Sequence, residues 1–170
     1  RLDHLIKTEW GNMEKAQFPD EYFDFILCEG DAFGLTPNPQ KVIYEFSRIL
    51  KPSGKLSLTI INYYKMLFFK REVIKAKGLS EYLRQASRVR EPFDGPSVRT
   101  FKPEIVSNML GKAGLLIERT APRFVLFDTL EKDIKERQFQ EIYKLERKLS
   151  SSPHLTTLGY HVMILAYKKA

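Results

Sequence analysis

The stretch "FDFILCEGDAFGL", residues 23–35, decides the fold of this chain. It opens with an apolar run, Phe23–Cys28, in which Asp24 is the only charged residue. Such a run is typical of a strand that is covered on both faces of a parallel sheet. An acid, a glycine and a second acid at positions 29–31 then end it abruptly. Because open α/β sheets bind ligands beyond the carboxyl ends of their strands, this end of the strand is a candidate site.

The next segment predicts a helix followed by a second strand. Asn38 is a suitable N-cap, and Pro39 suits the first helical position. Apolar residues then recur with helical spacing up to Leu50, and the Lys-Pro pair at 51–52 ends the helix. From residue 55 the pattern changes to alternation, which predicts a strand.

The remaining chain alternates between the same two patterns. We expect further strands over residues 4–10, 115–127 (interrupted at Pro122) and 159–169, helices over 66–76, 79–89, 102–113 and 130–149, and a loop over 90–100. This alternation predicts one α/β domain with helices on the faces of a sheet.

Composition narrows the class of protein. The chain has 170 residues, of which 43% are hydrophobic and 29% charged, as in a globular domain with its own core. The net charge of +7 is compatible with nucleic acid or another anionic partner, and it is also common in proteins that bind none. The single cysteine excludes an internal disulfide framework and favours a reducing, cytoplasmic setting. No stretch approaches the ~20 apolar residues of a membrane helix, so we expect no membrane partner.

Three motifs in a fixed order resemble the class I S-adenosylmethionine (SAM)-dependent methyltransferases. "FD" opens the strand at Phe23, "RILKPSG" at 48–54 ends the helix, and "KLSLTII" at 55–61 forms the next strand. Ser53 stands where the family has the first glycine of a pair. The later segments "KPEIVSNMLGKAGLLIERT" and "LGYHVMILAYKK" resemble the family's next helix and last strand. The resemblance covers nearly the whole chain, and it implies a Rossmann-like, mostly parallel sheet with an antiparallel last strand.

Within that family the chain is nearest to the glycine and sarcosine N-methyltransferase group. The matching stretches are Trp10, "CEGDAF" at 28–33 and "INY" at 61–63. Ile61 replaces the arginine that grips the substrate carboxylate in that group, and Asp31 replaces an asparagine. These two departures argue against glycine as the substrate.

The family's glycine-rich loop, which binds the methionine half of the cofactor, has no counterpart here. None of the nine glycines are spaced as G-x-G. The resemblance therefore implies the carboxyl-terminal portion of a domain, completed by a missing amino-terminal half or by a homodimer partner. We expect this chain alone to dimerise or to need that partner, and to bind the cofactor weakly or not at all. Residues 65–100 would form an insertion that caps the substrate pocket.

The resemblance also implies roles for residues at three predicted strand ends. It assigns the SAM cofactor to Glu9, Trp10, Glu29 and Gly30, the reacting methyl to Asp31 as the catalytic residue, and the substrate to Asn62, Tyr63 and Tyr64. Each of these also has an ordinary structural explanation, as a solvated charge, a turn residue or a packing aromatic.

Other chemistry-bearing residues are expected to be structural. His161 alternates with apolar neighbours within the last predicted strand, and Cys28 lies in a buried strand with no histidine close in sequence. The three histidines do not have the spacing of metal ligands, so we expect no metal.

The expected function is therefore methyl transfer from SAM to a nitrogen or oxygen of a small molecule by in-line displacement. Two alternatives stay open. The chain could be a non-catalytic partial fold that acts as a subunit or interaction module, which the absent glycine loop favours. It could also belong to an RNA-directed methyltransferase, although "EGDAF" at 29–33 replaces the "[DN]-P-P-[FY]" signature of enzymes that methylate base amino groups.

Overall fold

A computed structural model describes residues 5–69, 71–90, 96–127, 130 and 132–170. Its strands are β1 (Phe23–Cys28), β2 (Leu50–Ile61), β3 (Arg88–Arg90), β4 (Ser97–Arg99), β5 (Leu115–Arg123) and β6 (His161–Lys168). Its α-helices are α1 (Pro39–Ile49), α2 (Tyr63–Phe69), α3 (Arg71–Ala86), α4 (Pro103–Lys112), α5 (Lys132–Arg137) and α6 (Phe139–Ser150). Short 3₁₀ helices span Ala32–Leu35 and Pro153–Leu158.

Four strands form the main sheet in the order β1-β2-β6-β5. β1 and β2 are parallel, whereas β6 pairs antiparallel with both β2 and β5. Consequently β1, β2 and β5 run in one direction and only β6 runs against them. This confirms the predicted α/β fold with an antiparallel last strand.

Helices α1 and α4 cover one face of the sheet. The Asn38 side chain accepts a hydrogen bond from the backbone N–H of Lys41 at 3.2 Å, as the predicted N-cap requires. The apolar stripe of α1 is buried against alternate residues of β2 and β6 and against α4. The main members of this core are Val42, Ile43, Phe46, Leu56, Leu58, Ile60, Val106, Leu110, Val162, Ile164 and Ala166.

The two edges of the sheet differ in character. β1 is an edge strand whose only partner among the described strands is β2, and its Phe25 and Leu27 side chains are 51% and 65% exposed. The prediction that both faces of β1 are covered is therefore wrong for the residues described. β5 forms the other edge, where Glu118, Arg119 and Pro122 discourage pairing with a further strand.

Several predicted boundaries are wrong. Residues 5–10 form no strand, and His4 lies outside the described residues. Residues 97–99, predicted as loop, pair with 88–90 as a short hairpin. The long helix over 130–149 is two helices that meet at Gln138, and β5 continues through Pro122 because an edge strand tolerates a missing N–H.

Residues 63–69, 71–90 and 96–99 form a small unit at the carboxyl end of β2. Helices α2 and α3, with a kink at Gly78, lead into the β3–β4 hairpin. Met66, Ala86 and Val98 pack with Ile61, the last residue of β2. The stretch predicted to cap a substrate pocket thus lies beside the end of a central strand.

Candidate functional site

The carboxyl end of β1 meets the beginning of β6. Oδ1 of Asp31 lies 2.9 Å from Nε2 of His161, and both side chains are less than one fifth exposed. His161 is paired in register with Ile61, so the ends of β1 and β2 and the first residue of β6 are neighbours. We call this junction the rim.

A double left-handed turn directs Asp31 towards His161. Gly30 and Asp31 have φ values of 67° and 66°, a conformation that glycine adopts freely and aspartate tolerates. A Cβ added to Gly30 would meet no atom within 4 Å, so its backbone angle, and not a close approach, calls for glycine here. The turn is anchored by the following 3₁₀ helix, in which Phe33 is fully buried and packs on Phe101 with ring centres 5.0 Å apart.

Three buried polar atoms of this region have no hydrogen-bond partner in the part of the chain that the structure describes. They are Oδ1 of Asp31, Oγ1 of Thr59 and Nε2 of His161. The contact between Asp31 and His161 has the distance of an ion pair but not the angles of a hydrogen bond. Thr59 and Ile61 lie on the same face of β2, and Ile61 is paired with His161, so all three atoms belong to one face of the sheet. Buried polar atoms are rarely left unpaired, which marks the rim as a place for a polar ligand.

His161, predicted to be a structural residue within the last strand, is the first residue of β6 and lies at the rim. The missed signal is topological. An antiparallel last strand begins where parallel strands end, so its first residue joins their carboxyl ends. Phe124 and Tyr160 pack edge-on against the imidazole, with ring centres 5.6 and 4.8 Å away, and fix its plane.

Asn62, predicted to bind the substrate, has its side chain hydrogen-bonded within the protein. Its side chain is fully buried, and its amide oxygen accepts a hydrogen bond from the backbone N–H of Tyr64 at 3.1 Å. Its amide nitrogen donates to the carbonyl oxygens of Thr156, Thr157 and Gly159. With its hydrogen bonds made internally, Asn62 positions the loop that leads into His161.

Tyr63 and Tyr64 lie beside the rim but face another element. The Tyr64 hydroxyl donates to Glu104 on α4, and this hydrogen bond raises the pKa of Tyr64 above its usual value. The Tyr63 ring lies 5.3 Å from Nζ of Lys102 and lines a cavity of about 370 Å³ that does not include Asp31.

Glu9 and Trp10 lie along the open edge of β1. The Trp10 side chain is fully exposed, and Glu9 forms an ion pair with Lys7. Both line a cavity of about 400 Å³ together with Phe25 and Leu27, and this lining includes none of residues 29–31. The structure therefore does not bring Trp10 together with Gly30 and Asp31 in one cavity.

Glu29 and Cys28 complete the end of β1. One carboxylate oxygen of Glu29 accepts a hydrogen bond from the Ser57 hydroxyl at 2.8 Å. Burial, aided by the negative charge of Glu29, raises the pKa of the Cys28 thiol to about 11. Since only a thiolate is a good nucleophile, the prediction that Cys28 is a buried, unreactive residue agrees with its surroundings.

Comparisons with known proteins agree with this architecture. A family model described as a methyltransferase domain matches residues 2–58, about a third of the chain. No curated protein matches the sequence. Within the described residues, no helix has both the length and the apolar character needed to cross a membrane.

Solved structures share the fold at low sequence identity. A SAM-dependent methyltransferase from Thermotoga maritima, described as a possible histamine N-methyltransferase, is 21% identical with a TM-score of 0.53, and the match covers 94% of this chain and 62% of that one. A SAM-dependent methyltransferase from Methanosarcina mazei is 18% identical with a TM-score of 0.58, covering 94% and 65%. The cyclase SpnF is 14% identical with a TM-score of 0.54, covering 99% and 58%.

This chain spans about three fifths of the length of those structures. The likeness establishes the Rossmann-like fold of SAM-dependent methyltransferases. The cyclase among these structures shows that one fold carries more than one chemistry, so the reaction has to be argued from the site.

Proposed function

We propose that this chain contributes to an enzyme that transfers a methyl group from SAM to a nitrogen or oxygen of a small molecule. The observation that carries the proposal is the pairing of Asp31 with His161 at the end of β1, in a fold shared with SAM-dependent methyltransferases. Open α/β sheets bind their ligands at this kind of strand end.

The residues present suit part of the cofactor. The exposed Trp10 ring can stack on an adenine, Glu9 can accept from its amino group, and the Asp31 carboxylate can lie near a positive sulfonium. Glu29 and the Gly30 backbone would line the path between them. The methionine half needs a glycine-rich loop, which we assign to a segment or a partner chain outside residues 1–170. When bound, SAM supplies an electrophilic methyl group.

The rim can orient an acceptor and take its proton. Asp31 accepts a hydrogen bond from an acceptor amine or hydroxyl, which aims the lone pair of the acceptor along the line of displacement. For an ammonium or hydroxyl acceptor, the carboxylate–imidazole pair accepts the proton that leaves, and Asp31 stabilises the resulting imidazolium. An amine that arrives deprotonated needs only the orienting contact.

The sequence resembles the glycine and sarcosine N-methyltransferase group, and we propose a changed acceptor. Ile61 occupies the position of the arginine that binds a carboxylate in that group, and it is buried with Met66 and Val98. An acceptor without a carboxylate next to the reacting nitrogen therefore fits better. Residues 65–100 would cover it.

The test uses the full-length protein as its gene encodes it, with SAM carrying a labelled methyl group and a panel of amines and phenols. We expect Asp31→Asn and His161→Gln to lower kcat about 100-fold or more. Asp24→Asn is the matched control, because Asp24 is an exposed residue of β1 that pairs with Lys51. Full activity of the Asp31 and His161 variants would contradict the roles assigned to these two residues. If calorimetry showed that the full-length protein does not bind SAM, the proposed reaction itself would be contradicted.

A second candidate, a non-catalytic subunit, is favoured by one observation, the open apolar edge of β1. An edge strand with exposed Phe25 and Leu27 can pair with a strand of another chain. For residues 1–170 alone, we expect sedimentation to show a dimer that Leu27→Lys converts to monomer. Leu116→Lys, on the edge strand β5, should leave it unchanged. A wild-type monomer would contradict the pairing.

A further inference from the structure

A cavity of about 640 Å³ lies on the sheet face opposite α1 and α4. β6 shows which face this is, because Val162 and Ile164 join the core with α1 whereas Met163 between them lines the cavity. Strand β5 and helix α6 form its other walls. Its volume is in the range of small-molecule sites.

Three arginines line this cavity, two from β5 and one from α6. Arg119, Ala121 and Arg123 alternate along β5 and share one face, and the small alanine leaves room between the two long side chains. On α6, Tyr143 and Arg147 are one turn apart, with the guanidinium carbon of Arg147 6.0 Å from the Tyr143 ring centre.

The positive charge of this cavity is not balanced within the described part of the chain. None of its three arginines forms an ion pair with a described carboxylate. Among the described lining residues Glu146 is the one acid, and it is buried. Its carboxylate oxygens accept from the backbone N–H groups of Val125 and Leu126 at 2.7 and 2.8 Å. Arg123 donates to the sulfur of Met163 at 3.2 Å, a weak acceptor.

We infer that this cavity binds a small phosphate-bearing molecule with a flat ring, such as a mononucleotide. Guanidinium groups match phosphate oxygens through paired hydrogen bonds, and three of them around one cavity repel one another until an anion binds. The half-exposed side chains of Tyr143 and Phe124 line the same space and give a base aromatic surface to contact. This inference does not depend on methyl transfer, because Asp31, Thr59 and His161 do not line the cavity, although Arg123 and Phe124 adjoin His161.

Calorimetry with pyrophosphate and with AMP, at constant ionic strength and without SAM, tests the inference. We expect AMP to bind to the wild-type protein. Each of Arg123→Gln and Arg147→Gln should lower the affinity for AMP about tenfold. Tyr143→Leu should lower the affinity for AMP and leave the affinity for pyrophosphate unchanged. Lys148→Gln removes one charge from the neighbouring position of α6, which does not line the cavity, and should change neither affinity.

Three results would overturn the inference. The first is the absence of AMP binding. The second is an equal loss of AMP affinity in Lys148→Gln, which would reduce the effect to net charge. The third is tighter binding of a 20-nucleotide RNA with a steep salt dependence, which would assign the arginines to a polynucleotide backbone. Circular dichroism melting in the absence of AMP and pyrophosphate checks that each variant is folded. If Arg123→Gln or Arg147→Gln does not fold, Arg119→Gln takes its place.

Discussion

The guanidinium of Arg48 binds both carboxylate oxygens of Glu45, through Nε at 3.2 Å and Nη2 at 2.9 Å. The same guanidinium donates to the carbonyl oxygens of Phe18 and Ala16 and to the carboxylate of Asp20. One side chain at the end of α1 thus holds the loop that forms a wall of the cavity beside β1. This explains structurally the arginine of the "RILKPSG" motif.

Replacing Arg48 by lysine should destabilise the protein by about 1 to 2 kcal/mol, because an ammonium cannot make these paired, fixed-angle hydrogen bonds. Urea denaturation followed by circular dichroism measures the loss. Arg137→Lys, in an exposed residue of α5, is the matched control and should change stability by less than about 0.5 kcal/mol. Equal values for the two variants would mean that the Arg48 network contributes nothing.

The same pair predicts a pH dependence of stability. Hydrogen bonding to Arg48 lowers the pKa of Glu45 below its ordinary value of 4.5. A depressed folded-state pKa stabilises the protein above the unfolded pKa, and this contribution is lost as the pH falls through the folded value. Between pH 6 and pH 3, Glu45→Gln should therefore lose less stability than the wild type. Parallel stability curves from urea titrations would contradict the lowered pKa.

Two neighbouring residues near the beginning of β2, Ser53 and Gly54, should respond in opposite ways to substitution. Ser53 has a φ of 61°, which is strained for a side-chain-bearing residue, so Ser53→Gly should stabilise the protein by about 0.5 to 1 kcal/mol. At Gly54 an added Cβ would lie 2.8 Å from the carbonyl oxygen of Lys51, so Gly54→Ala should destabilise it. Thermal melting of both variants measures the difference, and the same sign for both would refute this explanation of the motif.

The sequence predicted those parts of the fold that depend on local pattern. The cap at Asn38, the stripe of α1 and the alternation of β2 and β6 are short-range signals, and each is confirmed. The strand predicted over residues 4–10 shows the limit, because a few apolar residues form a strand only when another strand offers a partner. Among the described residues, none pairs with 5–10.

The site was predictable where it depends on strand ends and not where it depends on pairing across the sheet. Gly30 and Asp31 follow from the end of β1 alone. His161 joins them only through the register of β6 against β2, which sequence spacing does not contain. The hydrogen bonds of the Asn62 side chain were unpredictable for the same reason, since its partners at 156–159 are distant in sequence.

Asn62→Asp provides a direct test of the buried Asn62 hydrogen bonds that position the loop before His161. The substitution keeps the shape but replaces an NH₂ that donates to three carbonyl oxygens by an acceptor oxygen facing them. Burying an unpaired charge should cost about 3 kcal/mol or more at pH 7. The new carboxyl should have a raised folded-state pKa, so the variant should regain stability relative to the wild type as the pH falls towards 5. Urea titrations at both pH values measure this, with Asn108→Asp on the exposed side of α4 as the control. A loss as small as that of the control, or one independent of pH, would show that Asn62 is free to serve a ligand after all.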